Sequence, residues 1–167
     1  MLLRHFVLMF AILLAWAFNA VAIEWGVEEA PPLLLTSLRF LIVAMLVVPF
    51  TRVTRQQIPL IIKLSISFGL MHFSMLFVGM TYTDAGTAAM IVQLGTPLAI
   101  LGAVIFLNER ISMANISGLV LSLAGMVVLS GSPTLTSLKG IVILLISALG
   151  WAITNLLIKS DKTLSPY

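Results

Sequence analysis

Apolar residues fall into six long runs, and short polar connectors separate these runs. Each run approaches the roughly 20 residues that a helix needs to cross about 30 Å of hydrocarbon. Backbone polar groups inside a bilayer must find internal partners, so such spans are helical. The pattern predicts an all-α integral membrane protein with six transmembrane helices, at approximately 6–24, 32–50, 58–81, 86–107, 112–130 and 138–159.

Composition excludes an ordinary soluble domain. Hydrophobic residues make up 60% of the 167 residues and charged residues only 9%, and the mean hydropathy is +1.17. Soluble domains are about 25% charged. The chain has no cysteine, and its two histidines, His5 and His72, lie far apart. We therefore expect no disulfide, no metal site and no cofactor.

The charged residues predict an orientation in the membrane. Lysine and arginine are enriched in cytoplasmic loops, and with a cytoplasmic N-terminus only Lys139 lies outside, whereas four of the six acidic residues do. The net charge is +3, but the basic residues form no patch that would favour binding of nucleic acid. The residues placed at the cytoplasmic face are Arg4, Arg52, Arg55, Lys63, Arg110, Lys159 and Lys162.

The first apolar run allows a second interpretation. Its basic start and the sequence Ala20-Val21-Ala22 resemble a signal peptide with a small-residue cleavage site. The run is long for a signal, however, and Trp16 and Asn19 interrupt it where a pathway-facing helix would carry polar groups. We favour a membrane span.

The first and last runs resemble each other at an offset of 135 residues. The dipeptide Trp-Ala begins at Trp16 and again at Trp151. The span with Trp151 is the fifth after the span with Trp16, so the repeat contains five spans. A repeat of an odd number of spans must be inverted, which is a recurring architecture of secondary transporters. We expect one five-helix repeat in residues 1–131, and a linker with the first helix of an incomplete second repeat in residues 132–167.

An arginine inside the second run stands out, because a charge in hydrocarbon requires a partner or a water-filled cavity. Arg39 lies about seven residues into the run, roughly 10 Å from the outer surface at 1.5 Å per residue. It is either a snorkelling or carbonyl-capping arginine, or a counter-charge for an anionic group of a substrate. The sequence leaves both interpretations open.

Other polar and aromatic side chains lie near the middle of their spans. His72 would suit a proton relay, although a hydrogen-bonded structural histidine is the more common case. Asn19 and Gln93 either bind polar groups of a substrate or hydrogen-bond between helices. Trp16 is deeper than an interfacial tryptophan, and its echo at Trp151 favours a place for both along a substrate pathway over simple packing.

Small residues at a spacing of four predict close helix packing. They are Gly95, Ala99 and Ala103 in the fourth run, and Gly118 with Ser122 in the fifth.

Three further residues concern the shape and the end of the fourth helix. Pro97 removes a helix hydrogen bond and is expected to kink the helix. Glu109 and Arg110 follow the helix at the predicted cytoplasmic face. We expect a local charge pair that fixes the tight turn into the fifth helix, with a gate or proton site as the alternative.

The order of several motifs is distinctive. The first motifs are Trp16 with Asn19, and the stretch from Pro31-Pro32 to Arg39-Phe40. They are followed by Gly79-Met80-Thr81-Tyr82-Thr83-Asp84-Ala85-Gly86, then by Ala88-Ala89, Pro97, Asn108-Glu109-Arg110, Gly118 and Gly125. This order resembles the EamA-type domain of the drug/metabolite transporter superfamily, from the first span to the last residue. Tyr82 and Gly118 thereby join Pro97, Glu109 and Arg110 as structural or gating candidates.

The resemblance implies ten helices in two inverted five-helix repeats, with both termini in the cytoplasm and the protein in a bacterial inner membrane. Members move small metabolites, often amino acids or their derivatives, commonly outward and with proton or gradient coupling. Because this sequence stops one helix into the second repeat, we expect a fragment. Assembly with a second copy as a dimer is the alternative.

The expected function is therefore export of a small metabolite by alternating access. A non-transporting scaffold, or a half-transporter that needs a partner chain, is the alternative. A membrane enzyme is a third class, but Asp84, Glu109 and His72 lie at different depths and sides and form no catalytic constellation. The expected pathway residues are Trp16, Asn19, Arg39, His72, Gln93 and Trp151.

Overall fold

The computed structural model describes residues 3–130 and 137–161, and all regular structure within these ranges is helical. The predicted linker, the end of the chain and Lys162 lie outside the described residues. Helices α1 to α4 and α6 are long and apolar enough to cross a membrane, which confirms an all-α integral membrane protein. The helices are α1 (Leu3–Glu29), α2 (Pro32–Phe50), α3 (Arg55–Gly79), α4 (Ala85–Leu107), α5 (Met113–Ser130) and α6 (Leu138–Ser160).

The hydrophobic pattern locates the helices well, and the largest difference is at the end of α1. This helix continues to Glu29 instead of residue 24. It runs without interruption through Ala20-Val21-Ala22, and it contacts both α2 and the first part of α4. The first apolar run is therefore an integral part of the helical bundle.

The middle of α3 departs from α-helical geometry. Residues Ser65–Ser74 form a π-helix, with α-helix on both sides. Hydrophobic periodicity does not distinguish the two helix types, so the sequence carried no signal for this segment. Such segments are rare and occur frequently at functional sites. Here the π-helix is the part of α3 that contacts α6 most extensively.

Helix α4 is interrupted at Leu94, between Ala85–Gln93 and Gly95–Leu107. Pro97 has no N–H group, so the Gln93 carbonyl, four residues earlier, loses its helical partner. This is the interruption that Pro97 predicts. The second half of α4 then lies along α6.

Helix α6 occupies the centre of the bundle, between α3 and α4. Glycines allow this close packing. A Cβ atom on Gly150 would lie 2.7 Å from the Ser67 carbonyl oxygen and 2.8 Å from the His72 backbone nitrogen. On the α4 side, Gly95 lies directly against Trp151. The buried residues of α6 are Gly140, Leu144, Ser147, Ala148, Gly150, Ala152 and Thr154.

Contacts at the turn between α3 and α4 define the relative directions of α1 and α6. Glu24, near the end of α1, accepts a 3.0 Å hydrogen bond from the Ala85 backbone N–H. Lys139, at the start of α6, places its Nζ 4.7 Å from the centre of the Tyr82 ring. Helix α1 therefore ends where α6 begins, and the two helices run in opposite directions.

The small-residue prediction holds for α4 but not for α5. Gly95 and Ala103 of α4 are both buried, and Gly95 lies directly against α6. A Cβ atom on Gly118, by contrast, would meet no atom within 4 Å, and Ser122 is exposed. The expected close packing at Gly118 and Ser122 is therefore wrong for the described part of the chain. The reason is that the main contacts of α5 are with the first half of α4, Ala85–Gln93.

Candidate functional site

Aromatic side chains gather where α1, α2, α3 and α6 meet near the middle of their lengths. Phe68 lies at the centre of the group, with its ring centroid 4.7 Å from Phe73, 5.6 Å from His72 and 5.9 Å from Trp151. Offset and edge-to-face contacts at these distances are favourable. The aromatic cluster consists of Trp16, Phe40, Phe68, His72, Phe73 and Trp151.

The two tryptophans that echo each other in the sequence are in contact. The ring centroids of Trp16 and Trp151 lie 6.3 Å apart, with an interplanar angle of 77°. Trp16 is 64% exposed, whereas Trp151 is half-buried and faces both Gly95 and the aromatic cluster. The pair thus joins two helices of opposite direction at mid-depth.

Arg39 is half-buried at the edge of the aromatic cluster. Its Nη1 donates a 3.2 Å hydrogen bond to Oδ1 of Asn19. Its guanidinium carbon lies 4.6 Å from the centre of the Phe73 ring, within the range of a cation–π interaction. Arg39 is thus hydrogen-bonded to a side-chain amide on α1.

His72 is buried and joined to α6 through Ser147. Its Nδ1 lies 3.1 Å from both the carbonyl oxygen and the hydroxyl oxygen of Ser147. The Ser147 hydroxyl donates a 2.8 Å hydrogen bond to the His72 carbonyl oxygen. Two turns further along α6, the Thr154 hydroxyl donates to the Ser67 hydroxyl at 2.9 Å. His72 is thus hydrogen-bonded between α3 and α6.

Gln93 is the one predicted pathway residue that stands apart from these contacts. It is exposed on α4, directly before the interruption at Leu94. The structure therefore brings together five of the six predicted pathway residues, namely Trp16, Asn19, Arg39, His72 and Trp151.

An open pocket of about 670 Å³ lies between the second half of α4, the loop after it, and α6. Trp151 lines the pocket at the mid-depth end, and Glu109, Arg110 and Lys159 line it near the helix ends. Apolar and small side chains, including Ala99, lie between these two regions. Trp151 therefore borders both the aromatic cluster and the pocket.

Glu109 has a different partner from the predicted one. Its Oε2 lies 2.6 Å from Nζ of Lys159, so the expected local charge pair between Glu109 and Arg110 is wrong. The physical reason is that α6 packs along α4 and brings Lys159 within reach. The turn itself is fixed by the backbone, because Asn108 adopts a left-handed conformation with φ 52° and the Glu109 N–H donates to the Ala103 carbonyl oxygen at 3.2 Å.

Sequence reasoning missed several residues of the site. Phe68 and Phe73 were not singled out among the apolar residues, although Phe68 and His72 are four residues apart and such residues share a helix face. Lys159 looked like a topology signal alone. Within the described residues, no group of three or more histidine, cysteine, aspartate or glutamate side chains could hold a metal ion.

Comparison with known proteins identifies a family match and several relatives. Residues 4–131 match the model of the EamA-like transporter family. A probable amino-acid metabolite efflux pump of Salmonella typhimurium is 33% identical over 93% of this chain and 53% of the relative. A similarly named Escherichia coli protein is 26% identical over 90% of this chain and 52% of the relative. An uncharacterized transporter of Bacillus subtilis is 27% identical over 89% of this chain and 55% of the relative.

The chain spans about half the length of the curated relatives it matches. No solved structure shows significant similarity to it.

Proposed function

The chain belongs to the EamA-like transporter family, and we propose that it acts in a secondary transporter that exports a small metabolite. The proposed substrate is an amino acid or an amino-acid derivative, in keeping with the names of the Salmonella and Escherichia relatives. The proposed mechanism is alternating access between inverted repeats, in a bacterial inner membrane.

The observation that carries this proposal is Arg39. A charged side chain within a membrane span is costly and is usually retained for a function. Asn19 and the Phe73 ring hold the guanidinium beside the aromatic cluster, and a guanidinium has five N–H donors in a planar fork that matches a carboxylate. We assign to Arg39 the binding of the substrate carboxylate, and to Trp16 and Trp151 the contact with the rest of the substrate.

The arrangement of α6 supports the alternating-access part of the proposal. Helix α6 is attached at one end by Lys139 on Tyr82 and at the other by Lys159 on Glu109. It runs opposite to α1, as the first helix of an inverted repeat must. His72 is assigned a positioning role between α3 and α6, because its imidazole is hydrogen-bonded to Ser147.

Flux measurements on the intact protein in proteoliposomes test the function. We expect labelled amino acids to cross the bilayer, and Arg39→Gln to lower the flux by at least about tenfold, since hydrogen bonds to charged groups contribute about 1.5–3 kcal/mol. Arg39→Lys keeps the charge but loses the planar fork, so only partial flux is expected. Vesicles with and without a pH gradient test proton coupling.

Arg52→Gln is the matched control, because Arg52 is an exposed arginine in the connection between α2 and α3. Its flux should equal that of the unaltered chain. An absence of flux for a broad panel of amino acids and derivatives would contradict the proposal and favour a scaffold or a half-transporter that requires a partner chain.

A further inference from the structure

The pocket between α4 and α6 lies apart from Arg39. We propose that it is a second binding site, which takes the carboxylate group of a small metabolite with an apolar tail. The inference rests on the proposed function, because it gives the exporter a loading site at the predicted cytoplasmic face. It differs from the Arg39 site in position and in its charged residue, and the two sites share only α6 with Trp151.

Arg110 supplies the charge that this site requires. Glu109 is already paired with Lys159, and none of the residues that the structure describes forms an ion pair with Arg110. Its side chain is exposed and lines the pocket. An arginine fork binds a carboxylate through two parallel hydrogen bonds. The net charge of these three residues is +1, which favours an anionic group over a cationic one.

The rest of the pocket wall is mostly apolar and suits an apolar tail at the other end of the ligand. From the charged residues towards mid-depth it is lined mainly by the apolar Ala103, Leu156, Ile100 and Ala99, with Asn155 and Thr96 as polar neighbours of Trp151. The distance along α6 from Lys159 to Trp151 is about 12 Å at 1.5 Å per residue. A volume of about 670 Å³ lies within the roughly 300–1,000 Å³ typical of small-molecule sites. An apolar tail of a few carbon atoms therefore fits.

The ion pair between Glu109 and Lys159 also lines this pocket. It joins the loop after α4 to the end of α6 across the pocket, and both side chains remain partly exposed. Because Lys159 satisfies Glu109, the carboxylate of Glu109 does not compete with the ligand for Arg110. The pair thus leaves the guanidinium of Arg110 free for an incoming carboxylate.

Calorimetric titration of the chain in nanodiscs tests the site, in an Arg39→Gln background that weakens the first site. The probes are leucine, 4-methylpentanoate, which lacks the amino group, and 3-methylbutylamine, which lacks the carboxylate. We expect both carboxylates to bind and the amine not to bind. Adding Arg110→Gln should raise the dissociation constant of both carboxylates by at least about tenfold.

Two matched controls accompany these titrations. Arg52→Gln removes an exposed arginine that does not line the pocket, and it should leave binding unchanged. Ala99→Leu fills the pocket and should weaken binding without any change of charge, whereas Ala44→Leu adds the same volume to an exposed position of α2 and should not.

Equal affinity for the amine, or unchanged carboxylate affinity in Arg110→Gln, would overturn the proposal. Failure of the proposed function is distinguishable, because binding at the pocket does not require flux. Carboxylate binding that depends on Arg110, in a chain that shows no flux, supports the site alone. Flux that persists with no binding in the Arg39→Gln background overturns the site alone.

Discussion

At the scale of single residues, backbone contact between α3 and α6 depends on one glycine. Gly150 brings its helix so close to α3 that the nearest atoms to an added Cβ include backbone atoms of Ser67 and His72. Backbone cannot move aside as the end of a flexible side chain can. The hydrogen bonds of Ser147 and Thr154 to α3 depend on the same close approach.

Gly150→Ala should therefore destabilise the protein by about 1–3 kcal/mol, the usual cost of overpacking. Gly118→Ala is the matched control, because its Cβ meets nothing within 4 Å, and it should be neutral or stabilise by up to about 1 kcal/mol. Unfolding in mixed detergent measures both. Equal stability of the two variants would show that α3 and α6 are not in backbone contact.

At the scale of whole helices, a side chain near the end of α1 caps the N-terminus of α4. The first N–H groups of a helix have no partner within the helix. Asp84 accepts from the Thr87 N–H at 2.9 Å, and Glu24 from the Ala85 N–H at 3.0 Å. A carboxylate at this end also interacts favourably with the helix dipole. Residues that are 61 positions apart thus fix α1 against α4.

Glu24→Ala should weaken the start of α4 by about 0.5–2 kcal/mol, as the loss of a helix cap does. Hydrogen exchange at residues 85–88 is the measurement, and exchange should become faster there. Glu28→Ala removes an exposed carboxylate of the same helix and should leave that exchange unchanged. The same acceleration in both variants would argue for a general effect of charge and against a specific cap.

At the scale of the molecule, the contacts sort the helix ends into two sides. Glu24, Tyr82 and Lys139 share one side, and Glu109 and Lys159 share the other. We propose that the second side faces the cytoplasm, because basic residues are concentrated in the loops there.

The chain has no cysteine, so single cysteines report this orientation directly. Glu29→Cys should react with a membrane-impermeant maleimide in intact cells. Gln56→Cys and Ser112→Cys should react only after the membrane is permeabilised. The reverse pattern would place the N-terminus outside, and it would move the pocket of Arg110 to the outer face.

Prediction from the sequence succeeded where one physical signal dominates. Helix positions follow from hydrophobic length, and the polar residues Asn19 and Arg39 could be singled out because hydrocarbon makes such groups costly. The partner of Glu109 could not be predicted, since sequence proximity favoured Arg110 while packing of α6 on α4 brought Lys159 closer. Phe68 and Phe73 were hidden among other apolar residues, and the π-helix left no mark in the periodicity.

The central position of α6 has a consequence for biosynthesis. A chain is made from its N-terminus, so α3 and α4 enter the bilayer before the helix that separates them. Until α6 arrives, the hydroxyl of Ser67 and the imidazole of His72 lack their partners, Thr154 and Ser147. The packing between α3 and α4 is therefore completed only after α6 has entered the bilayer.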